Sequence, residues 1–221
     1  MADQYHPDCE ALALIGAGVR NRLSDTPSAR RIAVDTAEIY TIENFLPPAT
    51  CRRLTALIDA VACPSRLVEE DEWEGYRTSY SGDIDPKDAT VCALERDLGH
   101  LTGLDVTRSE SAQGQRYLTG EYYHEHWDWF DTKAAYWPGE DRNGGQRSWT
   151  AMVYLNAVEE GGHTDFTRLG LRVAPCPGTL LLWNNALPDG TPNPWTIHAA
   201  RPVVRGVKYV VTKWYRARSW Q

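Results

Sequence analysis

Apolar residues recur along this chain with two different periods, and the change falls near residue 112. Upstream the spacing is helical. ALALIGAGVRNRLS (11–24) reads as a helix closed by the breaker-rich SDTPSARR. LPPATCRRLTALIDAVA (46–62) has prolines near its start and then Leu54, Leu57, Ile58 and Val61 at i, i+3, i+4, i+7, which predicts an amphipathic helix. A second helix is predicted over 85–104, with Val91, Leu94, Leu98 and Leu101 on one stripe and Gly103 as its stop. Between the first two, AEIYTIENF (37–45) alternates like a half-buried strand. Downstream the segments RYLTGEYYHEHWDWF, RSWTAMVYLNAV, HTDFTRLGLRVA, GTLLLWNN, TIHAARPVV and VKYVVTKWYRA are short and rich in β-branched and aromatic residues. Gly, Pro, Asn and Asp clusters separate them, as in a β-sandwich or barrel. The expected class is therefore α+β, with helices first and a β-barrel after them.

Composition narrows the function classes. A chain of 221 residues with 42% hydrophobic and 24% charged residues suits one globular domain. A net charge of −7 argues against a nucleic-acid partner, which would need a basic patch. No run approaches the ~20 apolar residues of a membrane span. The apolar 11–19 stretch follows MADQYHPDCE, without a signal peptide's basic start, so a cytoplasmic location is expected. Cys9, Cys51, Cys63, Cys92 and Cys176 are scattered and odd in number, which fits reduced thiols. Eight of the nine tryptophans lie at or beyond position 127. They predict either a large aromatic core or the wall of a substrate groove.

Candidate chemistry sits in GEYYHEHWDWF (120–130), where His124, His126 and Asp128 occupy alternate positions. On a strand these share a face, but positions 124 and 128 would lie ~13 Å apart. Only neighbours two apart can lean onto one ion, so the pair is His126 with Asp128 or His124 with His126. A third ligand must come from His6, His100, His163 or His198. His6 falls in the expected tail and His100 on the second helix, whereas His198 lies on a late strand. Two imidazoles with one carboxylate suit non-haem Fe(II) with open positions. HTD at 163–165 is a second instance of H-x-D. Ten residues past His198, Lys208 stands on an otherwise apolar and aromatic strand. Buried there, it needs an anion, and a dicarboxylate cosubstrate chelating the metal would supply one. Lys208, Val210, Thr212 and Trp214 share parity, and Lys208, Thr212 and Trp214 make one polar and aromatic wall.

These residues resemble the prolyl 4-hydroxylase branch of the Fe(II)/2-oxoglutarate dioxygenases. The matching stretches are ENFLPPATC, RTS (77–79), RYLTGEYYHEHWDWF, NGGQRSWTAMVYLNAVEEGGHTDF, PGTLLLW, PDG (188–190) and IHAARPVVRGVKYVVTKW, which together span roughly 36–217 in the family's order. The resemblance implies a double-stranded β-helix (jelly-roll) domain over 36–221, preceded by an N-terminal arm or helix over 1–35. It implies His126, Asp128 and His198 as catalytic iron ligands, with His124 outside the ligand set. It implies Lys208 for the far carboxylate of 2-oxoglutarate, with Tyr117, Thr150, Thr212 and Trp214 in that pocket. Tyr123 and Arg147 match positions near the substrate. The implied reaction hydroxylates an unactivated C–H of a prolyl residue in a peptide or protein and releases succinate and CO2, using Fe(II), 2-oxoglutarate and O2 with ascorbate in support. A free amino acid or small natural product is the alternative substrate. The sequence departs from the family where His163 replaces its usual Glu. DTKAAYWPGEDRNGGQ (131–146), long and Gly-rich beside the metal, is expected to be a lid.

Two other classes compete. HEHWD resembles the zinc-binding start of metallo-β-lactamase-like hydrolases, but those carry His directly after Asp, where this chain has Trp129. A jelly-roll binding module without catalysis would need neither the triad nor Lys208.

Overall fold

A computed structural model describes residues 8–65 and 75–220; His6 lies outside them. The chain runs α1 (Cys9–Ser24), β1 (Ala29–Arg31), β2 (Ile39–Ile42), α2 (Pro48–Val61), β3 (Cys63–Pro64), β4 (Tyr80–Asp83) and α3 (Ala89–Thr102). It continues with β5 (Gln113–Tyr117), β6 (Tyr123–His126), α4 (Trp137–Arg142), β7 (Arg147–Tyr154), β8 (Glu160–Gly161) and β9 (Thr164–Phe166). Last come β10 (Leu171–Val173), β11 (Leu180–Asn184), β12 (His198–Ala200), β13 (Val203–Arg205) and β14 (Lys208–Arg216).

Helix limits follow local chemistry. Pro48 opens α2, where its missing N–H goes unneeded. The Asp88 side chain accepts from Thr90 N to cap α3, and Gly103 closes that helix at φ 74°, a conformation its missing Cβ permits. Helix α1 begins two residues earlier than its apolar pattern suggests. Asp8, just before it, is buried and accepts from Gln146 N (3.1 Å) and Arg218 Nη1 (2.7 Å), which ties both ends of the chain together.

The strands form an eight-stranded sheet ordered β1-β2-β11-β7-β14-β5-β4-β3, a four-stranded sheet β10-β9-β12-β6 and a short pair β13-β8. This is the expected α+β jelly roll. Strand periodicity sorts its side chains into two cores. Trp149, Ala151 and Val153 of β7, with Val211 and Tyr215 of β14, face the helices and pack on Leu54, Ile58, Leu94 and Leu98. Lys213 is on that same outer face and pairs with Glu95 of α3. Gly114 of β5 lets α2 approach, since a Cβ there would meet Ile58 Cγ1 at 2.3 Å. Met152, Tyr154 and Val210 face the other way, into a second core with Tyr117, Phe166 and Trp183 between the sheets. β1 joins the large sheet, and α1 supplies Val19 and Leu23 to the helix-side core. Residues 8–35, the described part of the expected arm, thus pack against the same sheet and core.

Segment 131–146, expected to be a loop, carries α4 and is tied down. Arg216 pairs with Glu140 and Arg218 with Asp141, both at 2.6 Å. Those arginines come from the chain's last residues, which no local pattern connects to the segment.

Candidate active site

A cavity of about 660 Å³ opens between the two sheets. The register of the small sheet builds one end of it. β12 pairs antiparallel with β6 so that His198 sits directly opposite His126, and their ring centroids lie 4.2 Å apart. Seventy-two residues of separation vanish in one cross-strand pair.

Asp128 arrives differently from the sequence expectation. β6 stops at His126 and the chain bends through Asp128, so only His124 and His126 are strand neighbours. The bend brings the buried carboxylate to the imidazoles, which an extended strand would not do as closely. One donor atom from each of His126, Asp128 and His198 lies within 4.8 Å of the others. His124 is exposed and packs its ring against Tyr122 and Tyr76. His163 is half-buried, and its intended partner Asp165 is occupied by Arg201 (2.8 Å) and Arg172 (3.2 Å).

The histidines are set for ligation. His126 Nδ1 meets the His124 carbonyl at 2.8 Å, and His198 Nδ1 meets the Thr196 carbonyl at 2.9 Å. A carbonyl only accepts, so each Nδ1 carries the proton and each Nε2 keeps its lone pair. Burial, and then the neighbouring His198, hold the His126 pKa well below the usual imidazole range, which favours the neutral form that binds metals. Two imidazoles and one carboxylate brought together in this way are a donor set that would hold Fe(II).

The other end of the cavity comes from the large sheet. Lys208, Val210, Thr212 and Trp214 of β14 all line it, so the expected wall includes Val210 as well. Lys208 is 1% exposed and lies across the β14–β5 ladder from Tyr117. Its Nζ reaches Thr164 Oγ1 at 3.4 Å and lies over the rings of Tyr117 and Tyr154 at 5.2 and 5.6 Å. Burial lowers its pKa to about 7, against a slight upward pull from Asp165. The Tyr117 hydroxyl donates to Gln115 Oε1, and Gln115 Nε2 reaches Thr212.

Thr150 corrects an expectation. It faces between the sheets but is absent from the cavity wall and has no exposed surface. Its hydroxyl donates to Asp128 Oδ2 at 2.7 Å and accepts from Asn185 Nδ2 at 2.9 Å. The alternation of β7 predicts the face of a side chain but not its depth. The Thr150 hydroxyl is spent on the Asp128 carboxylate.

Tyr123 and Arg147 both line the cavity. The Tyr123 ring stacks on His126 at 3.6 Å, with the Arg77 guanidinium 4.7 Å from its centroid. Arg147 is clasped by both Glu110 oxygens at 2.7 Å, lies over Phe130 and Trp214, and brings Nη1 to 3.8 Å from Asp128 Oδ1. Burial pushes the Glu110 carboxyl up, but Arg147 and Arg216 overcome this and hold it below the usual carboxylate range. Thr164, Glu110 and Asn185 were not singled out by sequence. Each works through a partner distant in the chain, and Thr164, although inside HTD, is the unpatterned position of that motif.

Comparison with known proteins agrees with this arrangement. Residues 112–216 match the sequence profile of the 2OG-Fe(II) oxygenase superfamily. Probable prolyl 4-hydroxylase 10 of Arabidopsis thaliana is 30% identical over 210 residues, which is 84% of this chain and 70% of that protein. The viral collagen prolyl hydroxylase of Paramecium Bursaria Chlorella virus-1, solved as its 2OG complex, superposes with a TM-score of 0.62 at 27% identity, over 80% of this chain and 94% of that one. A Pseudomonas putida prolyl-4-hydroxylase shares the fold at TM-score 0.55 and 23% identity, over 93% and 98% of the two chains. On these grounds the chain belongs to the 2OG-Fe(II) oxygenase superfamily, as a prolyl 4-hydroxylase-like dioxygenase that uses Fe(II), 2-oxoglutarate and O2.

Proposed function

We propose that this dioxygenase hydroxylates prolyl residues in a peptide or protein, with His126, Asp128 and His198 as the iron ligands and Lys208 as the anchor for the far carboxylate of 2-oxoglutarate. The observation that carries the reading is the pairing of opposites in one cavity. A cluster of imidazole and carboxylate donors stands at one end, and a buried ammonium with no carboxylate partner among the described residues stands at the other. A 2-oxo dicarboxylate matches both ends at once. When bound, the iron supplies oxidative decarboxylation of 2-oxoglutarate to succinate and CO2, coupled to hydroxylation of a C–H bond.

The chain's own residues do the rest. Lys208 orients the cosubstrate by a charge-assisted bond, aided by Thr164, while Tyr117, Thr212 and Trp214 close the walls around it. Trp127, Trp129, Phe130 and Tyr136 line the cavity too and offer apolar faces on which a proline ring packs. Tyr123 and Arg147 flank the metal end, where the reacting residue must come. The peptide substrate is supported by the names of the similar proteins, which are prolyl 4-hydroxylases and a collagen prolyl hydroxylase. The scattered cysteines, odd in number and never spaced C-x-x-C, favour action in the cytoplasm.

Mass spectrometry tests the substrate class. Proline-rich peptides incubated with the protein, Fe(II), 2-oxoglutarate and ascorbate are expected to gain one oxygen atom, with matching succinate. Gain on free amino acids alone would overturn the peptide assignment.

A further inference from the structure

Asp128 comes from a bend, so no strand ladder fixes how its carboxylate is turned. A buried chain of side chains does so instead. Asn185 Nδ2 meets Thr150 Oγ1 at 2.9 Å, and Thr150 Oγ1 meets Asp128 Oδ2 at 2.7 Å. Neither Asn185 nor Thr150 has any exposed surface. The polarity of this chain is forced by proton count. A carboxylate only accepts, so the single hydroxyl proton of Thr150 goes to Asp128, and the Asn185 atom facing Thr150 must be the amide donor.

Two further facts separate this from ordinary core packing. The backbone of Asn185 is already pinned, its N–H donating to the Ser148 carbonyl (2.8 Å) and its carbonyl accepting from Asn193 N (3.0 Å). The turn after β11 therefore does not need the side chain. In addition, Asn185 Oδ1 is buried and finds no hydrogen-bond partner among the described residues. An amide that leaves one end unsatisfied lowers stability, and such exceptions call for a reason.

We propose that Asn185 is a positioning residue for the metal centre, acting through Thr150 to lock the Asp128 carboxylate, with Oδ2 held by the Thr150 hydroxyl and Oδ1, which faces Arg147 Nη1 only at 3.8 Å, turned to the ion. The proposal deepens the ligand assignment above and rests on it. Asn185 sets the Thr150 rotor, and Thr150 turns the carboxylate. Residues in this relation to a ligand typically change metal affinity by about 10–100-fold when removed.

The test is Mn(II) binding to the purified protein without 2-oxoglutarate, read from the free Mn(II) EPR signal, together with the thermal midpoint of the metal-free protein. Thr150→Val is expected to weaken Mn(II) binding by about 10–100-fold, and Thr150→Ser, which keeps the donor, to restore it to within about threefold. Asn185→Asp presents a second acceptor, draws the hydroxyl proton away from Asp128, and is expected to weaken binding as Thr150→Val does. Asn185→Ala, the milder change, gives a smaller loss and serves where another variant does not fold. A lowered midpoint with wild-type Mn(II) affinity in these variants would make the relay structural only and overturn the proposal. Wild-type affinity in Asp128→Ala would instead overturn the ligand set itself, and the two failures are told apart by that one variant.

Discussion

The two ends of the cavity are built on opposite rules. At the metal end, the inward-facing polar atoms are engaged: both histidine Nδ1 atoms meet backbone carbonyls, and Asp128 Oδ2 takes the Thr150 hydroxyl. At the other end Lys208, 1% exposed, has one 3.4 Å contact to a hydroxyl and two aromatic faces, and no described carboxylate lies within ion-pairing distance. The first end is finished by the protein before anything binds. The second is left incomplete, and under the proposed function the far carboxylate of 2-oxoglutarate would supply the missing partner. A pre-set metal site lowers the cost of ordering ligands, and an unpaired buried cation makes binding selective for an anion of the right length.

Removing a finished part should break the enzyme outright. Asp128→Ala or His198→Ala is expected to abolish succinate formation, measured with 2-oxoglutarate in large excess, because two donors do not make a site for a ferrous ion. Substantial turnover in either variant would remove that residue from the ligand set.

Changing the unfinished end should act more narrowly. Lys208→Ala is expected to raise the 2-oxoglutarate KM by about thirtyfold or more, the roughly 2 kcal/mol or greater loss usual for truncating one partner of a buried charge pair. Mn(II) affinity should not move. Lys208→Met sharpens the contrast, since it removes an ammonium buried without an ion-pair partner among the described residues. The unliganded protein should become more stable by about 1–4 kcal/mol while cosubstrate binding is lost. A destabilised Lys208→Met protein would mean that the lysine is satisfied internally after all.

How much of this was legible in sequence divides along the same line. The helices and strands were, because Leu54, Leu94 and Leu98 repeat at helical spacing and the β14 residues alternate. His126, Asp128, His198 and Lys208 sit in short, spaced motifs, and the family resemblance singled them out where spacing alone left His124 with His126 open. The supporting layer was not. Thr150 reads as any β-branched strand residue, and its contact to Asp128 depends on a bend that the alternating HEHWD pattern disguises. Glu110 meets Arg147 from a connection with no periodicity, and Asn185 meets Thr150 only because β11 and β7 lie side by side. Hydrogen bonds between side chains on different strands leave no periodic trace, so they appear only once register is known.

A titration offers a smaller, continuous test of the unfinished end. With a pKa near 7, unliganded Lys208 is mostly charged below that pH and progressively neutral above it. A bound carboxylate raises the pKa, so binding above pH 7 takes up a proton. The 2-oxoglutarate affinity should therefore be flat below about pH 7 and fall by up to about tenfold per unit above it, until the pKa of the bound state is reached. Lys208→Arg should bind without this dependence, because guanidinium does not titrate there. A wild-type affinity that stays constant between about pH 6 and 9 would show that the lysine is already charged by another means.

The smallest expected effect is at His124, the remaining histidine of the motif, and it decides how the finished end is assembled. Its ring is exposed and packs on Tyr76 and Tyr122, while its backbone carbonyl fixes the His126 tautomer. The service it gives the site is thus independent of its side chain. His124→Gln should leave kcat and Mn(II) affinity within about twofold of wild type and stability within about 0.5 kcal/mol. His126→Gln should instead lose the metal. If the two substitutions weakened Mn(II) binding alike, the ligating pair would be His124 with His126, the bend at Asp128 would lose its purpose, and the metal end would have to be rebuilt around the strand rather than beyond it.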